Sequence, residues 1–190
     1  MPKIETRTRV ILVQNDHERT KPTNTGRLAH LMLSNSRLLR YAVRGQTFDP
    51  APLCDPDTDY FLIFHRDEDQ AELSPESLES GPDRERALVF LDGTWAQCSR
   101  MSHRVPGLER MRVLSLPPGP RSPWRVRAET HPDRMSTLEA IIRAVEIVEG
   151  AEPARQMRAW FYRVTAAMMY MKAMLPRPDM PDEWAALLGE

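Results

Sequence analysis

The stretch Ala87-Leu-Val-Phe-Leu91, running into Asp92-Gly93-Thr94-Trp95, decides how the rest of the chain reads. Five consecutive apolar residues bounded by polar ones spell a strand buried on both faces, the kind that occupies the middle of a parallel sheet. A carboxylate, a glycine and a hydroxyl then end the run. They supply a sharp turn and a cap, so a helix is expected to follow to about Ser102. Outward from this unit the same alternation recurs. Arg9-Val-Ile-Leu-Val-Gln14 reads as a strand. Pro22 to Asn35 reads as a helix with Thr23, Asn24 and Thr25 as cap formers and Leu28, Leu31 and Met32 at helical spacing. Residues 38–43, 60–64 and 111–116 read as further strands. Ser136 and Glu139 form an S-x-x-E capping box at the start of a helix that ends at Gly150, and another helix is predicted over about 153–175. Between them, 48–59, the acidic 65–86 and the Pro- and Arg-rich 117–133 read as connections. Strands alternating with helices predict an α/β fold, a mainly parallel sheet flanked by helices, in one domain covering 1–190 with a short tail.

Composition narrows the function classes. The chain has 190 residues, 28% of them charged, and a formal net charge of −1, so it is no polycation that binds nucleic acid by bulk charge. The charge is nonetheless segregated. Residues 1–50 and 86–135 each carry a net +5, residues 51–85 carry −9, and only three of the 26 basic residues are lysines. Arginine suits bidentate phosphate contacts and base stacking. No window approaches the roughly 18 apolar residues of a membrane span, and the N-terminus has no signal-peptide pattern. Cys54 and Cys98 cannot form a four-cysteine zinc site and lie in no CxxC pair. They read as reduced thiols of a cytoplasmic protein, and no metal, membrane or obligate protein partner is expected. Neither a G-x-G-x-x-G nor a P-loop pattern occurs.

Ligands of open α/β sheets bind beyond the carboxyl ends of the strands. Two segments qualify, Gln14-Asn-Asp-His-Glu18 and Asp92-Gly-Thr-Trp95. Asp92 is either a helix N-cap or a general base or an anchor for a cation. His17 and Glu18 are either an acid/base pair or two loop residues facing opposite ways. Asn24, Thr25 and Gly26 either cap a helix or receive an anion at its start. Arg121, Arg125 and Arg127 around Trp124 make a basic loop with an aromatic, suited to phosphate contact and stacking. The remaining histidines are scattered without metal spacing.

These segments resemble the DTW domain family. Its D-x-T-W block is Leu88-Val-Phe-Leu-Asp-Gly-Thr-Trp-Ala-Gln97. An earlier block looks like Val13-Gln-Asn-Asp-His-Glu-Arg19 with Asn24-Thr-Gly-Arg-Leu28, and a later one like Trp124-Arg-Val-Arg127 with Ser136-Thr-Leu-Glu-Ala140. The chain departs from the family pattern in having no cysteine in its first 50 residues and Asn15 where the pattern has histidine. The resemblance implies a SPOUT-related fold with a knotted cofactor site. It also implies transfer of the 3-amino-3-carboxypropyl group of S-adenosylmethionine to a uridine nitrogen in tRNA. On this reading Asp92 is the catalytic candidate. Thr94, Trp95, Leu114, Leu116, Ser136, Thr137 and Glu139 would hold S-adenosylmethionine. His17, Glu18, Asn24, Thr25, Arg27, Arg125 and Arg127 would meet the RNA. A methyltransferase on RNA, transfer to another acceptor, and an inactive RNA-binding module remain alternatives at this point.

Overall fold

A computed structural model of the chain describes residues 3–65, 70–79, 81, 83–119, 122–124, 126 and 135–188. Five strands form one all-parallel sheet in the order β2-β1-β4-β3-β5. They are β1 (Arg9–Asn15), β2 (Ser36–Tyr41), β3 (Thr58–Ile63), β4 (Glu85–Asp92) and β5 (Arg112–Leu114). The helices are α1 (Thr25–Met32), α2 (Trp95–Arg104), α3 (Thr137–Glu149), α4 (Ala151–Met171) and α5 (Asp182–Leu188). The α/β class with a parallel sheet is therefore as the sequence predicts.

Alternation along β1 and β4 builds two cores. Val10, Leu12, Leu88 and Phe90 face one layer, with α1, α3 and α4 packed on it. Ile11, Val13, Val89 and Leu91 face the other, covered by α2 with Leu53 and Leu108. Each such side chain taken from water contributes roughly 1.5–3 kcal/mol, which is why the two middle strands tolerate no charge between Val10 and Val13 or between Ala87 and Leu91.

Several predicted elements shift for local reasons. The first helix begins at Thr25, not Pro22, because the Asn24 side chain accepts from Arg27 N and fixes the cap there. It ends at Met32, because Leu33 leaves to bridge Ile4. The strand predicted over 111–116 shortens to three residues. Only Phe61–Ile63 of β3 pairs with it, and Ser115 bridges Glu72 instead. The helix expected over 153–175 runs from Ala151 to Met171. Pro153 is its third residue, where a missing N–H costs nothing. Helix α5 was not anticipated; its Trp184 lies 5.2 Å from the ring of Tyr162 on α4. The two capping boxes, Thr94 with Gln97 and Ser136 with Glu139, are both formed. Among the described residues no helix is long and apolar enough to cross a membrane.

Strand order places one crevice. From β1 the chain leaves through α1 toward β2 on one side; from β4 it leaves through α2 toward β5 on the other. Adjacent parallel strands whose connections diverge define a switch point, and the opening lies at their carboxyl ends. Here those ends are Gln14 and Asp92, which are register partners.

Candidate functional site

Gln14 and Asp92 continue the alternation of Val10-Leu12 and Leu88-Phe90, so both point into the α1/α3 layer, where the next positions would be apolar. Two polar groups there need partners. Asp92 is only 2% exposed. Its Oδ2 accepts from Gln14 Nε2 at 2.8 Å and from Asn24 Nδ2 at 2.7 Å, and its Oδ1 from Thr137 Oγ1 at 2.9 Å. Asn24 completes the cluster: its Oδ1 accepts from Arg27 N at 2.8 Å and from Gln14 Nε2 at 3.2 Å. Asn24 caps α1, and Thr137 is the first residue of α3. The carboxylate thus lies at the positive ends of two helices, an arrangement that favours its charge. Gly26 is pressed against it. A Cβ there would sit 2.5–2.7 Å from the carboxyl atoms of Asp92.

A second acid lies on the other side of the strand ends. Asn15 caps the 3-10 turn over 16–18, accepting from His17 N, and this turn carries Glu18 inward to full burial. Lys21 Nζ meets Glu18 Oε1 at 2.5 Å. Burial foremost, then the charges of Asp92 and Glu18, pushes the Cys98 thiol up to about 12. Two buried carboxylates, Asp92 and Glu18, thus flank the strand ends, each engaged by the chain's own donors.

The rim is mixed. Trp95 opens α2, remains 38% exposed, and rests on Phe64 just beyond β3, with ring centroids 5.7 Å apart. Glu139 Oε2 accepts from Ser136 N and Ser122 Oγ, both at 2.8 Å, closing the start of α3. Arg143 of α3 donates from Nη2 to the Pro117 carbonyl and reaches Met135 Sδ at 3.7 Å, so it ties both ends of the segment leading to α3. Burial, opposed by Glu139 and Glu146, lowers its pKa.

Of the residues singled out from the sequence, Asp92, Asn24 and Thr137 come together directly. Thr25 is buried in the first turn of α1, and Thr94 caps α2 at the same edge. Leu114 is fully buried in the core and Leu116 packs partly against it. His17 is exposed while Glu18 is buried, so the two do not form an acid/base pair. Arg27 is exposed on α1. Arg125 and Arg127 lie outside the described residues, as does Arg121. Gln14 and Gly26, named above only as part of a strand-end segment and of a helix start, contact Asp92 directly, and Phe64 joins the rim without having been singled out. The signal for Gln14 was a polar residue on the apolar phase of a strand.

A family model described as "DTW domain" matches residues 1–169 of the chain. No solved structure matches it.

Proposed function

Because the chain belongs to the DTW domain family, which is associated with tRNA modification, we propose that it transfers the 3-amino-3-carboxypropyl group of S-adenosylmethionine to a uridine nitrogen in tRNA. The observation that carries this reading is the Gln14–Asn24–Asp92–Thr137 cluster. The aspartate of the family's signature, the N-T-G block and the T-x-E-A block are far apart in sequence and meet at the switch-point crevice.

The donor set fits such a substrate. S-adenosylmethionine supplies an activated aminocarboxypropyl group with a sulfonium leaving group and an adenine. Asp92 and Glu18 are both buried and engaged by the chain's own donors, so they shape the crevice rather than contact the substrate directly. The exposed Trp95, braced by Phe64, suits a stacked base. The protein's task is positioning and charge, since the leaving group needs no further activation.

Within this reading Asp92 is an anchor rather than a proton acceptor. Both of its oxygens are engaged by the chain's own donors, and it is almost wholly buried. Its charge holds Gln14, Asn24 and Thr137 in place, and these set the walls against which the two substrates align.

Nucleoside mass spectrometry of tRNA incubated with the protein and S-adenosylmethionine tests the proposal. A uridine gaining the aminocarboxypropyl mass supports it. A methyl gain keeps the donor and replaces the reaction. No modified nucleoside, with no S-adenosylmethionine binding by calorimetry, would leave only an RNA-binding role.

A further inference from the structure

We propose that the groove between the C-terminal half of β2 and the segment 42–52 is a docking site for single-stranded RNA flanking the modified nucleotide, with Arg40 and Arg44 contacting its phosphates. The inference rests on the reading above that the acceptor is RNA, and it adds where that RNA runs.

Strand β2 is the outermost strand on its side of the sheet. After Tyr41 the chain turns back through Ala42, a non-glycine residue held at φ +62°. The returning segment leaves a cavity of about 280 Å3 whose walls include Leu38, Arg40, Val43, Gln46, Thr47 and Phe48. That is at the small end of ligand-pocket volumes, sized for a base rather than a helix. Phe48 stands edge-on to Tyr41, centroids 5.7 Å apart, and gives the cavity an aromatic wall. Gln46 and Thr47 are exposed and offer donors and acceptors for a base edge. Asp49, also in the wall, is turned to local use: its Oδ1 accepts from Ala51 N at 3.0 Å.

Charge decides the occupant. The chain carries 27 acidic residues, and several arginines are matched to them: Arg84 with Asp59, Arg155 with Glu152, Arg158 with Glu146. Arg40 and Arg44 are exposed and have no ion pair or side-chain hydrogen bond among the described residues. Unmatched guanidinium groups beside an aromatic-walled, base-sized cavity fit phosphate and base together. The groove is also near the crevice. Arg40 is the register partner of Gln14, and Gln14 of Asp92, so two strand spacings, about 10 Å, separate Arg40 from the anchor.

The test is binding of an unmodified tRNA transcript, by fluorescence anisotropy at several salt concentrations, to the wild-type chain, to R40Q/R44Q and to R86Q/R112Q. The last pair removes the same charge from exposed arginines at the N-terminal ends of β4 and β5, the opposite edge of the sheet. Loss of two phosphate contacts should lower the slope of log K against log salt by about 1.4 for R40Q/R44Q and leave it unchanged for R86Q/R112Q. Hydrogen exchange of the wild-type chain with the same tRNA reads the site without mutation; amides of residues 38–52 should gain protection. Equal slopes in the two variants, or protection confined to other segments, overturn the groove while leaving RNA as acceptor intact. A wild-type chain that binds no tRNA overturns both.

Discussion

Replacing Asp92 separates its anchoring role from proton transfer, and the structure gives the size of the effect. All three side-chain donors aim at the carboxylate, two at Oδ2 and one at Oδ1. In Asp92→Asn the amide nitrogen must take one of those places. At Oδ2 it would face two N–H donors. At Oδ1 it faces the Thr137 hydroxyl, which can rotate to accept. The variant therefore folds with its amide toward Thr137. It keeps two hydrogen bonds that are no longer charge-assisted and loses the favourable charge at two helix starts. That difference is about 1–2 kcal/mol. In Asp92→Ala, the Asn24 and Gln14 amides lose a buried acceptor and a void opens, costing about 3–5 kcal/mol. Urea unfolding at pH 7, followed by tryptophan fluorescence, measures both. For a chain of this size the Asn variant should melt about 2–8 °C lower than wild type. An anchoring role also predicts measurable turnover in folded Asp92→Asn. If the Asn variant is as stable as wild type yet catalytically dead, the anchoring argument fails and the aspartate works on substrate protons.

Four further outcomes follow from the same structure. Gly26→Ala should lower stability by about 1–3 kcal/mol in the same unfolding assay, because its Cβ overlaps a carboxylate held on three sides. Trp95→Ala should weaken substrate binding about tenfold or more in calorimetry, with a small change in melting temperature, since the ring is 38% exposed at the rim and leans on Phe64. Glu149 contributes to acid stability: burial raises its pKa, but hydrogen bonds from Thr8 and Arg7 outweigh this and leave it lowered. Its contribution is thus complete above the unfolded value of about 4.3 and lost as pH falls through the lower folded value, so Glu149→Gln should flatten the fall in urea stability between pH 5 and 3. Cys98, with its thiol at about 12, should resist a disulfide reagent at pH 8, while the exposed Cys54 reacts, giving one fast thiol per chain.

The parallel sheet was legible because its strands announce themselves as apolar runs. Ala87 to Leu91 is one, and the Asp-Gly-Thr after it could only be a turn and a cap. The capping boxes were legible for the same reason, since their partners lie three residues apart. What could not be read is whatever depends on meeting at a distance. Nothing near Gln14 says that its amide ends on a carboxylate 78 residues away. Gly26 looks like an ordinary early helix residue until Asp92 is seen against it. Arg112–Leu114 is short because β3 offers it only three partners, a property of the neighbour. Trp184 starts no recognisable periodicity, and α5 exists where Tyr162 gives that ring a surface.

The insertion of β4 between β1 and β3 has a consequence for how the chain is made. Until residue 92 is synthesised, β1 and β3 have no strand to join them, and Val10 to Val13, fully buried in the finished molecule, have neighbours only through β2 and α1. At ribosomal rates the interval between Asn15 and Asp92 is about 4–15 s. During it an apolar strand is bare along one edge, a template for pairing with other chains. Substitutions that slow or destabilise β4 should therefore be felt first as loss of soluble yield, before any effect on the finished protein can be measured.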